Sequence, residues 1–328
     1  MVFGALLLTG ASLTASVLVM QVAVLPLMFR YSKTVQRKMV FSNCRIWHLV
    51  PCTVLRELLS TTSESTLCDR LHRELQNTRN TIVLYCHGNS NHRGSPHRLQ
   101  MYKVFQDLNY HVITFDYRGY GDSTHIRPTE RGVVEDALKV YAWLMDVVDK
   151  EKRPMVVLWG HSLGTAIASN LVANIEELCR SNDYKCLPAP DALVLEAPFN
   201  NLLEEIEKHP FSKLVSWLPY YKRSFIKPFS SSDEFSFTTD EYLAKVPGLP
   251  VLMLHSKGDR IVPYELAVKL HDCVARSRAN GGAPVQFHVF DRGHNDLCEA
   301  PDLPVVVRDF LQVVKERECV KKRGINKI

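Results

Sequence analysis

Charge is absent from the first 29 residues, and no other gap in the sequence is as informative. Between Met1 and Phe29 there is no Asp, Glu, Lys or Arg, and most residues are Leu, Val, Ala or Met. About 20 apolar residues cross the bilayer core as a helix. A core helix of this length seldom lacks charge on every face, and a cleaved signal peptide would begin with basic residues. We therefore predict a transmembrane anchor over residues 1–30.

Two further absences concern cysteine and asparagine. The nine cysteines include no C-x-x-C pair and show no Cys/His spacing suited to zinc. There is also no N-x-[ST] sequon, so glycosylation gives no indication of membrane sidedness. A net charge of +5 with no recognisable nucleic-acid-binding module does not indicate a nucleic-acid partner. We accordingly expect no metal, no organic cofactor and no nucleic acid, and nothing in the sequence indicates a protein partner.

After residue 79 the sequence alternates between short apolar runs and helical patterns. Runs such as MVVLW and ALVLEA suit strands that are buried on both faces, as in a parallel sheet covered by helices. The alternation predicts a doubly wound, mostly parallel sheet. The predicted strands are Thr81–Cys86, His111–Asp116, Met155–Trp159, Ala192–Ala197, Pro250–His255 and Val285–Phe290. The predicted helices lie near His97–Leu108, Glu130–Val147, Ser162–Leu178, Tyr264–Ala275 and Leu303–Glu316.

One segment, residues 200–245, interrupts this alternation. It contains HPFSKLVSWLPYYKRSFIKPF, in which aromatic residues are interleaved with Lys and Arg. An ordinary amphipathic helix packed on the core would explain part of the pattern. The mixture of aromatic and basic residues, placed between two predicted strands, favours a small helical lid that meets lipid or substrate.

The motif Gly160-His161-Ser162-Leu163-Gly164 follows a predicted strand and precedes a predicted helix. This G-x-S-x-G arrangement holds a serine on a tight strand-to-helix turn, where its hydroxyl is exposed for nucleophilic attack. The pattern occurs often by chance, but the strand before it and the helix after it make it specific. Ser162 is our predicted nucleophile, and the fold class is predicted as α/β-hydrolase.

A serine hydroxyl needs a base to remove its proton and an acid to orient that base. In this fold the chain order is Ser, then Asp or Glu, then His. Asp259 follows the strand PVLMLH, and His294 follows the strand VQFHVF, so both are expected at the sheet edge where ligands bind. The competing residues, which we interpret as loop charges or structural histidines, are Asp291, Asp296, His255 and His288.

Backbone N–H groups should stabilise the oxyanion of the tetrahedral intermediate. One candidate is the N–H of Leu163, the residue after the nucleophile. The second should come from the loop after the first core strand, which reads Cys86-His87-Gly88-Asn89-Ser90. We predict the N–H of Asn89 for this role, with Gly88 allowing close approach of the substrate.

Three stretches of the sequence resemble the alpha/beta-hydrolase domain-containing protein 12 family. They are LYCHGNSNHRGSPHRLQMYKVFQDLNYHVITFDYRGYGDS, VLWGHSLGTAIASNLV and ALVLEAPFNNLLEEIEKHPFS. The resemblance covers roughly residue 80 to the C-terminus, together with the anchor and the basic FRYSKTVQRK that follows it. It implies a single-pass endoplasmic-reticulum membrane lipase that hydrolyses lysophosphatidylserine and monoacylglycerols, with Ser162, Asp259 and His294 as its triad.

The domain organisation follows from these segments. We predict a juxtamembrane, irregular linker over residues 31–79, a hydrolase domain over 80–318 and a basic tail over 319–328. The stretch VFSNCRIWHLVP joins anchor and core almost directly, which is shorter than is usual in the family. We therefore expect an early hairpin of the sheet to be missing.

Membrane sidedness is indicated by two opposing arguments. Basic residues directly after the anchor favour a cytosolic hydrolase domain by the positive-inside rule; they are Arg30, Lys33, Arg37 and Lys38. The family resemblance implies a lumenal domain, and long domains translocate largely regardless of flanking charge. We predict a lumenal domain.

The predicted function is hydrolysis of lysophospholipid or monoacylglycerol esters at a membrane through an acyl-serine intermediate. Two alternatives stay open at this point. A thioesterase that removes acyl groups from protein cysteines would need the same anchor and triad. A non-catalytic membrane interaction protein on a degenerate hydrolase fold would be compatible with the short N-terminal part of the core.

Overall fold

The structure is a computed structural model, and it describes residues 45–61, 67–149, 151, 153–210, 212, 216–219, 221–230 and 234–325. The predicted anchor over residues 1–30 lies outside this range. Among the described residues, no helix combines the length and the apolar character that crossing a membrane requires.

A single seven-stranded sheet organises the described part of the chain, in the order β1-β3-β2-β4-β5-β6-β7. The strands are β1 Ile46–Leu49, β2 Ile82–Cys86, β3 His111–Phe115, β4 Val156–His161, β5 Ala192–Glu196, β6 Val251–Ser256 and β7 Val285–Phe290. β1 pairs antiparallel with β3, and all other pairs are parallel. All six predicted strands are therefore present, and the prediction of a mostly parallel sheet is confirmed.

Helices cover both faces of the sheet. In chain order they are α1 Cys52–Thr61, α2 Leu67–Asn77, α3 Pro96–Asp107, α4 Glu130–Val147, α5 Leu163–Ala173, α6 Ile175–Ser181, α7 Leu202–Lys208, a π-helical turn Lys222–Ile226, α8 Lys227–Ser230, α9 Thr239–Ala244, α10 Tyr264–Ser277, a 3₁₀ turn Leu297–Glu299 and α11 Leu303–Ile325. The helix predicted over Ser162–Leu178 is wrong as one element. It divides at Asn174 into α5 and α6, and Ser162 itself caps α5 outside the helix.

Alternate residues of the central strands form one continuous apolar layer with α3 and α11. Trp159 of β4 packs edge-on against Phe105 of α3, with ring centroids 4.7 Å apart. Phe310 of α11 belongs to the same layer and is fully buried. Burial of a side chain of this size contributes about 1.5–3 kcal/mol. On the opposite face α5 packs against β2, β4 and β5, which fixes the turn between β4 and α5 where Ser162 lies.

The region predicted as an irregular linker, residues 31–79, differs from that prediction where the structure describes it. It contains β1, α1 and α2. β1 extends the sheet beyond β3, with Ile46 opposite Phe115, and His48 Nε2 lies 3.0 Å from His111 Nδ1. The linker prediction failed because a four-residue edge strand carries too little pattern to stand out. A single antiparallel strand therefore precedes β2 among the described residues.

The segment between β5 and β6 corresponds to the predicted lid over residues 200–245. Its described residues form α7, the π-helical turn, α8 and α9. Glu130, at the start of α4, is hydrogen-bonded to the C-terminal part of this segment. Its carboxylate accepts hydrogen bonds from the backbone N–H groups of Ser236 and Phe237, each at 2.8 Å, and from the Tyr242 hydroxyl. Asn170 of α5 donates to the same carboxylate at 2.8 Å.

We expect Glu130→Ala to lower the free energy of unfolding by about 2–4 kcal/mol, because it leaves several buried donors without an acceptor. Urea unfolding of the purified chain measures this. The matched control is Glu176→Ala, an exposed position on α6, with an expected change within about 0.5 kcal/mol. Equal stability of the two variants would show that Glu130 does not hold the lid segment.

Candidate active site

Ser162 lies in the turn between β4 and α5 with φ 51° and ψ −119°. This left-handed conformation costs a residue with a Cβ about 1–3 kcal/mol, so the surrounding structure must impose it. The backbone N–H of Ser162 donates to the carbonyl oxygen of Glu196 at 2.8 Å, which ties the turn to the end of β5. The strained strand-to-helix turn predicted from the motif is therefore present at Ser162.

The two glycines of the motif are required by close backbone contacts. A Cβ on Gly160 would lie 2.3 Å from the carbonyl oxygen of Gly164. A Cβ on Gly164 would lie 2.0 Å from the carbonyl oxygen of Cys86 in β2. Any side chain at either position would force α5 away from the sheet and displace Ser162.

His294 and Asp259 come together from loops that follow β7 and β6. His294 Nδ1 donates to Asp259 Oδ2 at 2.7 Å, and the Asp259 side chain is fully buried. The other carboxylate oxygen accepts from the N–H groups of Ile261 at 2.8 Å and Val262 at 2.9 Å. Burial alone would raise the pKa of Asp259, but the hydrogen bond and charge of His294 and these backbone donors hold that pKa below its ordinary value. Asp259 is thus kept ionised and fixed in orientation.

The competing acids and histidines have other surroundings. Asp291 and Asp296 are exposed. His288 pairs with Asp302 at 3.1 Å on the outer part of β7. His255 is fully buried, and its Nε2 lies 3.9 Å from Asp259 Oδ2, on the same carboxylate that His294 contacts. Burial lowers the pKa of His255, so it is a neutral neighbour of the acid.

The loop that contains Asn89 packs directly against the serine turn. A Cβ on Gly88 would lie 3.1 Å from Cβ of Ser162. Arg98, buried in α3, holds the loop by donating to the carbonyl oxygens of Gly88 at 3.1 Å and Ser90 at 3.0 Å. Arg98 was not predicted as a site residue from the sequence, because a charged residue in a predicted helix is more often exposed. Asn89 and Leu163, the two predicted oxyanion donors, line one cavity together with Ser162.

Two cavities meet at Ser162. The lid cavity, about 320 Å³, is lined by Asn89, Ser162, Leu163, Phe199, Leu202, Glu205, Ile206, His209, Ser212, Ile261 and Val262. The polar cavity, about 190 Å³, is lined by Asn89, Ser90, Asn91, His97, Arg98, His161, Ser162, Ile261, His294 and Asn295. Ser162, Asn89 and Ile261 belong to both. Ser162 and His294 line the polar cavity together, and His294 is hydrogen-bonded to Asp259, so the three predicted residues belong to one site.

Two carboxyl groups near the serine were not found from the sequence. Burial raises the pKa of Glu196, at the end of β5, to about 7, although the indole N–H of Trp159 donates to its carboxylate at 2.8 Å. Burial also raises the pKa of Glu205, in α7, to about 7. Their environment depends on strand register and lid packing, which the motifs do not report. Among the described residues, no group of three or more His, Cys, Asp or Glu side chains is arranged to hold a metal ion.

Glu196 makes stability depend on pH. A Glu carboxyl ordinarily has a pKa near 4.5, whereas burial raises the pKa of Glu196 in the folded chain to about 7. Stability therefore falls as pH rises between these values, by about 3 kcal/mol at most. We expect Glu196→Gln to flatten this decline, measured as melting temperature from pH 5 to pH 8. The control Glu265→Gln, at an exposed position, should leave the pH dependence of the melting temperature unchanged. An unchanged pH dependence in Glu196→Gln would contradict the account, because it would mean that Glu196 is already ionised at pH 5.

Comparison with known proteins identifies the family. Residues 81–181 match the family model described as alpha/beta hydrolase fold. The lysophosphatidylserine lipase ABHD12 of Danio rerio is 39% identical over 274 residues, which are 82% of this chain and 66% of that protein. The Mus musculus ABHD12 is 41% identical over 238 residues, 71% of this chain and 56% of that protein. The chain belongs to the ABHD12 family of α/β-hydrolases. It spans between 56% and 66% of the length of these two relatives.

One further relative and two solved structures are also similar to this chain. Protein ABHD12B of Homo sapiens is 39% identical over 234 residues, 71% of this chain and 60% of that protein. An esterase of Pyrococcus furiosus has a TM-score of 0.52 at 20% identity, covering 72% of this chain and 82% of that chain. An acylaminoacyl peptidase of Pyrococcus horikoshii has a TM-score of 0.52 at 13% identity, covering 83% of this chain and 39% of that chain. At such identities the structural likeness shows the fold alone, and the predicted α/β-hydrolase fold is confirmed.

Proposed function

We propose that the chain is a serine hydrolase that cleaves carboxylic esters of lipids, with Ser162 as nucleophile, His294 as base and Asp259 as the acid that orients it. The observation that carries the proposal is the strained Ser162 turn sharing a cavity with a His294 that is hydrogen-bonded to a buried Asp259. A single serine or a single His–Asp pair has many structural explanations. Their convergence at one cavity is typical of acyl transfer.

The proposed steps use these three side chains and two backbone N–H groups. His294 Nε2 takes the proton of the Ser162 hydroxyl as the oxygen attacks the ester carbonyl, and Asp259 stabilises the imidazolium that forms. The N–H groups of Leu163 and Asn89 hold the oxyanion. When the tetrahedral intermediate collapses, His294 returns its proton to the departing alcohol and an acyl-serine remains. Water, deprotonated by His294, then releases the fatty acid and restores the Ser162 hydroxyl.

The proposed substrates are lysophosphatidylserine and monoacylglycerol. The relatives that carry the name lysophosphatidylserine lipase support this choice. The lid cavity also supports it, because Phe199, Leu202 and Ile206 give it apolar walls suited to an acyl chain.

Turnover by the purified full-length chain tests the proposal. We expect release of fatty acid from 1-acyl lysophosphatidylserine and from monoacylglycerol, with slower deacylation of an S-palmitoylated peptide. Faster deacylation of the S-palmitoylated peptide than of the two lipid esters would favour the acyl-protein thioesterase over the lipase. Absence of hydrolysis of all three by a preparation that unfolds cooperatively would favour the non-catalytic interaction protein.

We further propose that residues 1–30 anchor the protein in the endoplasmic-reticulum membrane with its hydrolase domain in the lumen. The family resemblance and the uncharged N-terminal run support this. Tyr184→Thr would create a glycosylation acceptor at Asn182, in the turn after α6 where Asp183 and Tyr184 are exposed. We expect a glycan on this variant in microsomes, and none when Asn182→Gln is added. An unmodified, folded variant would mean a cytosolic domain.

A further inference from the structure

The two cavities that meet at Ser162 differ in the sign of charge along their walls. The residues that line the polar cavity include Arg98 and no Asp or Glu. The lid cavity includes Glu205 and no Lys or Arg. An ester that binds across Ser162 places its acyl chain on one side and its leaving alcohol on the other. The difference in charge between the two cavities therefore favours one orientation of the bound ester over the other.

Arg98 supplies a positive charge that no salt bridge neutralises among the described residues, although the buried carboxyl of Glu196 lies close enough for this charge to act on its pKa. Its side chain is 1% exposed, and its hydrogen bonds go to three carbonyl oxygens and the Ser95 hydroxyl. No acid lies within 4.0 Å of this guanidinium among the described residues. Arg98 lies in the first turn of α3, whose N-terminus adds partial positive charge. A buried charge without a counter-ion favours an anion nearby.

Hydrogen-bond donors are present at the same wall. His97 Nε2 is buried and has no partner among the described residues. Burial, with the charges of Arg98 and His294, lowers the pKa of His97 to about 4, against an opposing effect of Asp296. His97 is therefore neutral at pH 7 and can donate one N–H. Asn91 and Asn295 line the same cavity, and the amide of an Asn side chain can donate to phosphate oxygens without adding charge.

The lid cavity has the opposite character. Phe199, Leu202 and Ile206 form its apolar walls, and Glu205 would repel an anionic group at pH values above its pKa. An acyl chain loses no hydrogen bonds on entering such a space, whereas a phosphate would lose its hydration beside a carboxyl group. The acyl chain thus fits the lid cavity, which leaves the polar cavity for the leaving group.

Building on the proposed function, we propose that the polar cavity is the head-group site, where His97, Asn91 and Asn295 hold the phosphorylated head group of a lysophospholipid in the field of Arg98. The leaving group of monoacylglycerol is uncharged glycerol. It would bind in the same cavity, but the charge of Arg98 would stabilise it less than it stabilises a phosphorylated head group. These residues are specificity-determining and are not part of the proton transfer.

The experiment measures selectivity, as the ratio of kcat/KM for lysophosphatidylserine to kcat/KM for monoacylglycerol, on the full-length chain. Asn295→Asp adds a negative charge to the polar cavity, and we expect the ratio to fall by about tenfold or more. His97→Ala should lower it by about three- to tenfold. A general effect on the neighbouring His294 would change both rates and cancel in the ratio. Asn280→Asp, an exposed position before β7, adds the same charge elsewhere and should leave the ratio unchanged.

A second readout uses the head group alone. Glycerophosphoserine should slow the labelling of Ser162 by a fluorophosphonate in the unsubstituted chain and in Asn280→Asp, but not in Asn295→Asp. If it slows labelling in none of them, or if the ratio is unchanged in both cavity variants, the head-group site is wrong. If the unsubstituted chain hydrolyses neither ester while this protection pattern holds, the head-group site stands and the proposed lipase activity fails.

Discussion

Replacement of Ser162 by Ala is expected to lower ester hydrolysis by on the order of 10³-fold or more, because no other group can form the acyl intermediate. Fluorophosphonate labelling should disappear as well. Ala carries the same Cβ as Ser, so the left-handed turn at φ 51° is no more strained in the variant than in the parent chain. The melting temperature should therefore stay within a few degrees of the parent value.

Ser169→Ala is the matched control for this loss. Ser169 lies on α5, the helix that begins directly after Ser162. Its buried hydroxyl has no hydrogen-bond partner among the described residues. Removing that hydroxyl should leave hydrolysis and labelling intact. If hydrolysis survives Ser162→Ala but is lost in Ser169→Ala, the assignment of Ser162 in the G-x-S-x-G motif as nucleophile is wrong.

The second large effect is expected for Asp259→Asn. An amide can still contact His294 Nδ1, but it can donate a hydrogen there and so favour the tautomer that cannot accept the Ser162 proton. We expect a loss of about 10²- to 10⁴-fold in kcat with a smaller change in KM. A stability loss is also expected, since the N–H groups of Ile261 and Val262 would face a weaker acceptor than the carboxylate.

Asp296→Asn separates this effect from a change of charge near the base. Asp296 is two residues from His294 in sequence but is exposed, so its substitution should lower kcat by no more than about threefold, a small change on the free-energy scale. Comparable losses in the two variants, at equal folding stability, would mean that the acid has been assigned to the wrong residue.

Most of the sheet could be predicted from the sequence because its five central strands, β2 to β6, are buried on both faces. Runs such as VVLW in β4 and ALVL in β5 are apolar without interruption, and every residue of these strands is buried. β1 was missed since it is a four-residue edge strand with intermediate exposure at most positions. α2 did leave a signal: Leu67, Leu71 and Leu75 recur at the spacing of one helical face, but the charged residues between them read as an irregular stretch.

The predicted site residues share one property: each follows directly from chain order and local pattern. Ser162 has its motif, and Asp259 and His294 lie in loops after strands. The residues that sequence reasoning missed act through contacts between distant segments. Arg98 reaches back to the loop after β2, and Glu205 approaches His294 only because α7 folds over the serine. Such convergence depends on packing, and no single stretch of sequence reports it.

The most direct test of the central claim is to map where a fluorophosphonate attaches to the purified full-length chain. After labelling, digestion and peptide mass spectrometry, we expect one major adduct, on Ser162 within the sequence GHSLG, at a rate that falls on His294→Ala. A chain that hydrolyses lysophosphatidylserine while its adduct lies on another residue, or while it forms no adduct, would contradict the account.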